Sequence, residues 1–267
     1  MANYVDSTVF INGSKRAIVD FLNKGLKNNK QSLRVSCRMS GEHIAALLSD
    51  LDRAQCLATF SFLPHPKTFD HWDTTNKILD FEGWCKRNGA TEATNPVEAY
   101  RKYVRDYRRA VAYQQKKYGV VGWYEWNSKH YGCKWAAFER WKCLKDADGS
   151  LCLSSEVESP WAPPITFFEY MNNLDGITVY AYGMEACYWG YMWNGRTLED
   201  AEINPDKDSR YEQMLQEYAD EKGVDLNSYE AQHGCIPGFY PEEVYGRILT
   251  EYLDKYKAEI NSELGLS

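Results

Sequence analysis

Short stretches of alternating apolar and polar residues are separated along this chain by stretches with helical spacing. Residues 7–12 (STVFIN) alternate and are rich in β-branched side chains, which predicts a strand. A helix is predicted directly after it, because apolar residues recur at helical spacing and Ser14 is placed to cap the first turn. The apolar stripe of this helix consists of Ile18, Val19, Phe21, Leu22 and Leu26. The chain therefore opens with a β-α unit.

The same analysis divides the rest of the chain into strands and helices. Further strands are predicted at 32–39, 56–64, 129–141, 150–159, 177–184 and 186–195. Helices are predicted at 40–52 with Ser40 as N-cap, 96–118 between Pro96 and Gly119, 166–174, 209–223 with Ser209 as N-cap, and from Pro241 to 263. Residues 65–95 are predicted to be irregular, with one short helix. The pattern indicates an α+β fold, with helices packed on one face of a mostly antiparallel sheet.

Charge is distributed unevenly along the chain. Residues 199–267 contain 17 acidic and 6 basic residues, whereas the preceding 198 residues contain 21 acidic and 25 basic residues. The net charge of −7 disfavours nonspecific binding to nucleic acid, whose phosphates an acidic protein repels. The chain shows neither a secretory signal nor an apolar run that could span a membrane, so we expect a cytoplasmic protein. The 8 cysteines have no regular spacing, which predicts reduced thiols without disulfides.

Tryptophan is concentrated in one part of the chain. Three of the 9 tryptophans lie in WYEWNSKHYGCKW (123–135), and another begins WAPPI (161–165). One hypothesis is an aromatic pocket in which Lys134 neutralises an anionic ligand such as a nucleotide. Its lining would consist of Trp123, Trp126, Tyr131, Trp135 and Trp161. The alternative is a structural role, in which Trp135 and Trp161 anchor adjacent strands of the core.

Four segments of the chain resemble a known family. They are MANYVDSTVFINGSKRAIVDF, ATFSFLPHPKTF, HYGCKWAAF and EVESPWAPPITFFEYM, in this order. They are similar to the YubB-type ferredoxin-like domain proteins of phages and plasmids, which usually carry WGTKWD and WSPPI in the last two segments. This chain has Tyr131, Cys133, Ala136 and Ala162 where the family has Trp, Thr, Asp and Ser. If the family's Thr and Asp at positions 133 and 136 bind a shared ligand, this chain lacks that hydroxyl and that carboxylate.

The resemblance implies a ferredoxin-like sheet, an origin in a mobile element, and no particular enzymatic activity. It covers residues 1–196, with a helical insertion at about 65–119. Residues 197–267 lie outside it and are predicted to form an acidic helical appendage. That appendage could also engage a basic host protein, since dense carboxylates complement a basic groove.

The predicted helix at 96–118 is strongly basic. It carries 7 Lys and Arg against 2 acidic residues. Arg101, Arg105, Arg108 and Arg109 are the candidates for binding a partner, either phosphate or an acidic protein surface. The alternative is a solvated face whose charge is balanced by the acidic C-terminal helices.

Candidate chemistry is sparse in this sequence. Glu125, His130 and Lys134 are the candidates for an enzyme acting on a nucleotide or nucleic acid, and Cys133 with His130 could form a thiol dyad. His65, Asp70, His71 and Asp73 could be interpreted as a metal site, but they lack the paired spacing of structural zinc ligands. We therefore expect no catalytic residue, no metal and no cofactor.

Our leading hypothesis is a non-enzymatic binding protein of a phage or other mobile element. It would act in the host cytoplasm against host defence, by capturing a nucleotide-type ligand or a defence protein.

Overall fold

The computed structural model of the protein describes residues 3–51, 56–71, 81–89, 95–185, 189–202, 208–228, 231, 234 and 236–266. The strands are β1 (Tyr4–Ser14), β2 (Leu57–Ala58), β3 (Ala137–Ala147), β4 (Ser150–Pro160), β5 (Ile177–Glu185), β6 (Trp189–Trp193) and β7 (Leu198–Glu202). The helices are α1 (Lys15–Asn28), α2 (Gly41–Ser49), α3 (Thr59–Phe62), α4 (Thr68–His71), α5 (Phe81–Asn88), α6 (Pro96–Tyr118), α7 (Trp123–Tyr131), α8 (Ile165–Asn172), α9 (Tyr211–Lys222) and α10 (Glu242–Leu264).

The strands form one seven-stranded sheet in the order β2-β3-β4-β1-β5-β6-β7. Every neighbouring pair is antiparallel. Strand β1 lies at the centre and pairs with β4 from Tyr4↔Pro160 to Ser14↔Ser150. The predicted α+β class and mostly antiparallel sheet are confirmed.

The first face of the sheet carries the larger core. Alternate residues of β1, Val5, Val9 and Ile11, point to this face and are fully buried. Helices α1, α2, α3, α7 and α8 contribute their apolar residues to the same core. Phe62 of α3 lies near its middle, where its ring contacts those of Phe21, Phe138 and Phe167.

The second face of the sheet is covered by the C-terminal helices. Phe10 of β1, Cys152 of β4 and Met192 of β6 belong to a second core that includes residues of α9 and α10. Helix α10 packs on β5 and β6. Helices α1, α2, α3, α7 and α8 thus lie on one face, and the C-terminal segment supplies both β7 and the cover of the other face.

Several predicted helix ends are confirmed by their capping contacts. The Ser14 hydroxyl accepts a hydrogen bond from the backbone N–H of Ala17, and the Ser40 hydroxyl accepts one from that of His43. Gly119 ends α6 in the left-handed conformation, with a φ of 72°. Within the described residues, no helix is long and apolar enough to cross a membrane.

Three predicted strands differ in the structure. Residues 32–39 are irregular, and the backbone of Val35 is bonded to the side chain of Asn23 on α1 instead of to a neighbouring strand. Residues 56–64 form the two-residue strand β2 and then α3. Residues 129–131 complete α7, so β3 begins only at Ala137. The predicted N-cap at Ser209 is also wrong, because Arg210 occupies the cap position without a side-chain bond.

Asp146 of β3 ties two helices to the sheet. Its carboxylate accepts hydrogen bonds from the Lys15 ammonium at 2.8 Å and from the backbone N–H of Gly41 at 2.7 Å. The Lys15 hydrogen bond is the main reason that the pKa of Asp146 lies below its ordinary value, and the Gly41 bond adds to it. The native state therefore favours the ionised form, so this contribution to stability is present above the pKa of the unfolded chain. It is lost as the pH falls through the lower native pKa.

We expect Asp146→Asn to lower the free energy of unfolding near neutral pH. This loss should become smaller as the pH falls. Urea unfolding measured at intervals from about pH 7 to about pH 2 tests this, since protonation of the carboxylate removes its charge-assisted hydrogen bonds. Asp148→Asn, two residues along in the exposed turn, is the matched control. A stability difference between Asp146→Asn and wild type that does not change with pH would contradict the assignment.

Candidate functional site

Helix α7 divides the predicted aromatic cluster into an inner and an outer half. Trp126 and Tyr131 form the inner half and are buried, with exposures of 6% and 0%. The Tyr131 hydroxyl donates a hydrogen bond to the carbonyl of Leu63, and burial raises its pKa. The ring of Trp126 meets that of Tyr131 edge-on at 5.5 Å. These two predicted ligand-binding residues therefore hold α7 against the core and do not line an open site.

The outer half forms a surface that we call the aromatic platform: Trp123, Tyr124, Lys134 and Trp161. The Lys134 ammonium lies 5.7 Å from the centre of the Trp123 ring and 5.9 Å from that of Trp161. Tyr124 meets the ring of Trp161 edge-on at 6.5 Å. A cation this close to two indole faces makes favourable cation–π contacts. The platform therefore combines three aromatic rings with one positive charge.

The backbone around Lys134 is held by α7. Gly132 ends the helix in the left-handed conformation, with a φ of 83°, and turns the chain towards β3. The side-chain amide of Asn127 then donates a hydrogen bond to the Lys134 carbonyl at 2.9 Å. Next to it, half-buried Trp135 packs against Tyr4, with ring centres 6.2 Å apart. Trp135 thus lies beside the platform and joins this loop to the start of β1.

Trp161 has an unusual backbone conformation. Its φ is 69°, in the left-handed region, although it carries a large side chain. Its N–H donates to the carbonyl of Asn3 at 2.8 Å, and the Ser159 hydroxyl donates to the carbonyl of Ala162 at 2.9 Å, which holds the turn. A non-glycine residue in this region costs about 1–3 kcal/mol. The fold accepts that cost at a tryptophan whose side chain stays 51% exposed.

The two positions where this chain departs most from the YubB-type pattern are both inside the core. Cys133 is 4% exposed and Ala136 is fully buried. Ala136 exchanges hydrogen bonds with Thr59 of α3, whose hydroxyl accepts from the Ala136 N–H and whose own N–H donates to the Ala136 carbonyl. A larger polar residue at either position would face the core. Neither position therefore contributes a group to the surface of the platform.

The residues considered for catalysis have separate partners. Glu125 accepts a hydrogen bond from the backbone N–H of Val121, and His130 stacks on Trp126 with ring centres 4.0 Å apart. Among the described residues, no hydrogen bond or ion pair joins Glu125, His130 and Lys134. Desolvation raises the pKa of the Cys133 thiol to about 12, which is opposite to the lowered pKa that a nucleophilic cysteine needs.

The predicted partner-binding arginines lie together on one face of α6. Arg101, Arg105, Arg108 and Arg109 are all exposed, whereas Ala99, Tyr103 and Gln114 form the buried side of the helix. Within the described part of the chain, no ion pair connects α6 to α9 or α10. The alternative interpretation, in which the acidic C-terminal helices balance this charge, is therefore not supported by an ion pair among the described residues.

A cleft that was not predicted from the sequence lies on the second face, beside α10. It encloses about 380 Å³ and brings together carboxylates of three strands: Asp6, Glu139, Glu156 and Glu158. Asp6 is paired across the strands with Glu158, and Glu139 with Glu156. Arg140, at a bulge with a φ of 50°, contacts Glu156 at 2.9 Å. The alternation of Glu156 and Glu158 along one strand was the available signal, but their partners come from distant parts of the chain.

The described side chains do not support a metal site. Among the described residues, no group of three or more His, Cys, Asp or Glu side chains could hold a metal ion. The alternative suggested by Asp70, His71 and Asp73 lies outside the described side chains.

Comparison with known proteins adds little to this picture. No family model matches the chain, and no curated protein does. A similar solved structure is that of the protein api92 from Yersinia pseudotuberculosis, of family DUF1281. It is 12% identical, and the alignment covers 76% of this chain and 99% of that one with a TM-score of 0.31. A likeness at this level carries no argument, so the YubB-type resemblance stays a prediction.

Proposed function

We propose that this chain is a non-enzymatic binding protein and that the aromatic platform contacts a partner protein. The observation that carries the proposal is Trp161, a half-exposed indole on a strained left-handed backbone. A surface tryptophan contributes little to stability, whereas tryptophan and tyrosine dominate the energetic centres of protein interfaces. Strain retained at an exposed aromatic residue is therefore better explained by recognition than by folding.

The openness of the platform favours a protein partner over an enclosed small molecule. Small-molecule sites bury about 70–90% of a drug-sized ligand inside a cleft. Trp161 instead presents about half of its side chain to solvent, at 51% exposure. Among the described residues, Lys134 has no carboxylate partner, so it is available to an acidic group of the partner placed beside the indole rings.

The proposed setting follows from the sequence resemblance. We propose that the chain belongs to a mobile element and that its partner is a host defence protein. The strand order β3-β4-β1-β5, with α1 after β1 and α8 between β4 and β5, supports the ferredoxin-like topology that the resemblance implies.

A nucleotide-type ligand is the second candidate, because of the geometry of Lys134. An ammonium within 6 Å of two indole rings could meet a phosphate while a base stacks on an exposed indole. Stacking of this kind contributes about 1–3 kcal/mol per base. An enzyme is the weaker alternative, since Glu125, His130 and Lys134 share no contact.

Two substitutions of Trp161 distinguish the effect of backbone strain on stability from the effect of the indole ring on partner binding. We expect Trp161→Gly to remove the ring and relieve the left-handed backbone, and Trp161→Ala to remove the ring while keeping most of the strain. Trp161→Ala should then be less stable than Trp161→Gly by about 1 kcal/mol. Both should lose partner binding by about 2 kcal/mol, or about 30-fold. Tyr240→Ala is the matched control, because Tyr240 is 52% exposed and lies elsewhere.

The measurement uses the tagged full-length proteins. Proteins retained from a bacterial lysate by wild type and Tyr240→Ala, but not by either Trp161 variant, would be purified and titrated calorimetrically. A panel of nucleotides and cyclic nucleotides would be titrated in parallel. Heat from a nucleotide that disappears in the Trp161 variants would select the second candidate. Unchanged binding of all partners by both Trp161 variants would refute the platform as the binding surface.

A further inference from the structure

Helix α6 carries a continuous band of positive charge that we call the basic stripe: Arg101, Arg105, Arg108, Arg109 and Lys116. At 3.6 residues per turn these positions fall within about 100° of the helix circumference, and they extend over about 22 Å. All are exposed. The buried residues Ala99, Tyr103 and Gln114 lie on the opposite side. The stripe is therefore the face of α6 that points away from the rest of the protein.

The stripe has little compensating negative charge. Arg109 lies 3.9 Å from Asp106, at the limit of an ion pair. Among the described residues, no ion pair involves Arg101, Arg105, Arg108 or Lys116. Like charges three or four residues apart destabilise a helix, so this arrangement does not serve the stability of α6 itself.

The position of α6 prevents it from reaching the acidic helices of its own chain. Gln114 donates a hydrogen bond to the carbonyl of Thr68, and the Tyr118 ring packs edge-on against Phe69 at 5.5 Å. Phe69 belongs to the core on the first face of the sheet. Helix α9 belongs to the core on the second face, through Tyr218 and Ala219. The sheet thus lies between the two charged helices.

Helix α9 presents a complementary surface that we call the acidic face: Glu212, Gln213, Gln216, Glu217 and Asp220. All five residues are exposed. The amides of Gln213 and Gln216 donate to Glu217 and Asp220, both at 2.8 Å. In the described part of the chain, no cation pairs with Glu212, Glu217 or Asp220. The 12-residue helix is about 18 Å long, close to the length of the stripe.

We propose that the basic stripe of one copy docks on the acidic face of α9 in a second copy. Because the two surfaces lie on opposite faces of the sheet, the contact is head-to-tail. Each copy binds one neighbour through its stripe and another through its acidic face, so copies join into a chain or a closed ring. The second copy is the occupant favoured by charge complementarity, since its acidic surface is present in the same molecule. Nucleic acid is disfavoured, because the chain as a whole has a net charge of −7.

Charge reversal with complementation tests this association in the full-length protein. In the stripe variant, Arg101, Arg105 and Arg108 are each changed to Glu. In the acidic-face variant, Glu217 and Asp220 are each changed to Lys. A matched control changes Lys27, Arg34 and Arg38 to Glu. These three are exposed cations away from α6 and α9, and they alter the net charge as much as the stripe variant does.

Sedimentation velocity at two salt concentrations provides the measurement. We expect wild type and the matched control to self-associate at about 0.1 M salt and to dissociate at about 1 M, where the Debye length falls from about 10 Å to about 3 Å. Each reversed variant should be monomeric alone. An equimolar mixture of the two should associate again, because every contact between the two variants then joins opposite charges.

Four outcomes would overturn the proposal. The first is a wild-type protein that is monomeric at both salt concentrations, and the second is a mixture of the two variants that stays monomeric. The third is a matched control that dissociates as fully as the stripe variant, since the effect would then be one of net charge. The fourth is a monomer that binds a fluorescent DNA duplex through the stripe, which would identify phosphate as the ligand. Circular dichroism of each variant establishes that it is folded.

Discussion

Replacing Phe62 with alanine is expected to lower the free energy of unfolding by about 3–5 kcal/mol. Phe62 is fully buried and stacks on Phe21 with ring centres 4.2 Å apart. It also contacts the rings of Phe138 and Phe167, at 5.9 Å each. These rings come from α1, β3 and α8, so the alanine variant would leave a cavity where four elements meet. Surrounding rings on rigid elements cannot collapse to fill it, which places the cost in the upper range for core truncations.

The short helix α3 offers a matched control. Phe60 lies two residues before Phe62 and is 46% exposed. Phe60→Ala should change the free energy of unfolding by no more than about 0.5 kcal/mol, as most surface substitutions do. Urea or guanidinium denaturation of the three proteins measures both effects. Equal losses for Phe60→Ala and Phe62→Ala would show that the placement of α3 is incorrect.

The core around Phe62 also supports the candidate site. Ring contacts continue from Phe62 to Phe167, then to Tyr131 and Trp126 on α7. Trp123 and Tyr124 of the platform lie in the first turn of α7. Because packed interiors transmit displacement, a cavity at Phe62 should also disturb the platform. The platform is thus rigid on its α7 side, which suits a preformed interface.

The elements that the sequence predicted well are those with two independent signals. Helix α1 has an apolar stripe and a capping serine at Ser14, and α6 has Pro96 at its start and Gly119 at its end. Strand β5 alternates between buried and half-buried residues over most of its length. In each case hydrophobic periodicity and local chain-end chemistry agree, and such agreement fixes an element without tertiary information.

Elements with one signal were predicted less well. The run from Cys56 to Pro64 is largely apolar, and a short apolar run does not distinguish a strand from a buried helical turn. The outcome depends on Thr59, whose hydrogen bonds with Ala136 start α3 after only two strand residues. Helix α7 was concealed by its aromatic content, which favours strands. Gly122 and Gly132 at its two ends were the overlooked signal.

The candidate site was predicted in composition but not in arrangement. Within α7, Trp126 and Tyr131 are buried, whereas Trp123, in the first turn, packs at the edge of the core and is only partly buried. Helical spacing places all three on one side of α7, so it does not reveal that Trp123 stays partly exposed. Trp161 reaches Lys134 because β3 and β4 are paired and their outer ends lie side by side. Such a contact depends on strand register over long sequence separation, which a single sequence does not specify.

A second large effect is expected where α10 meets the sheet, at Leu249 and Gly190. Leu249 is fully buried on the second face. A Cβ atom added at Gly190 of β6 would lie 2.5 Å from the Leu249 Cδ1 atom. Gly190 therefore provides the space that the Leu249 side chain occupies. Leu249→Ala should lower the free energy of unfolding by about 2–5 kcal/mol.

The pair allows a double-mutant cycle in which the effect of Gly190→Ala on the free energy of unfolding changes sign. In the wild-type background, Gly190→Ala should destabilise by about 1–3 kcal/mol, because the methyl group overpacks against a side chain that has no free space. In the Leu249→Ala background the methyl group enters the vacated volume. Alanine also reduces the entropy of the unfolded chain relative to glycine, so the same substitution should then stabilise by about 0.4–1 kcal/mol.

Chemical denaturation of the four proteins gives the coupling energy, which should reach about 1.4–4 kcal/mol in magnitude. Additive effects at the two positions would mean that α10 does not lie on β6 as described. A sign change would instead establish that residues of the acidic C-terminal segment are an integral layer of the fold.

Truncation of that segment would then uncover Phe10 and Met192 on the second face. If truncation abolished partner binding, the loss would not distinguish unfolding from removal of an interface. Point substitutions at exposed Trp161 or Glu217 leave this layer intact and make that distinction.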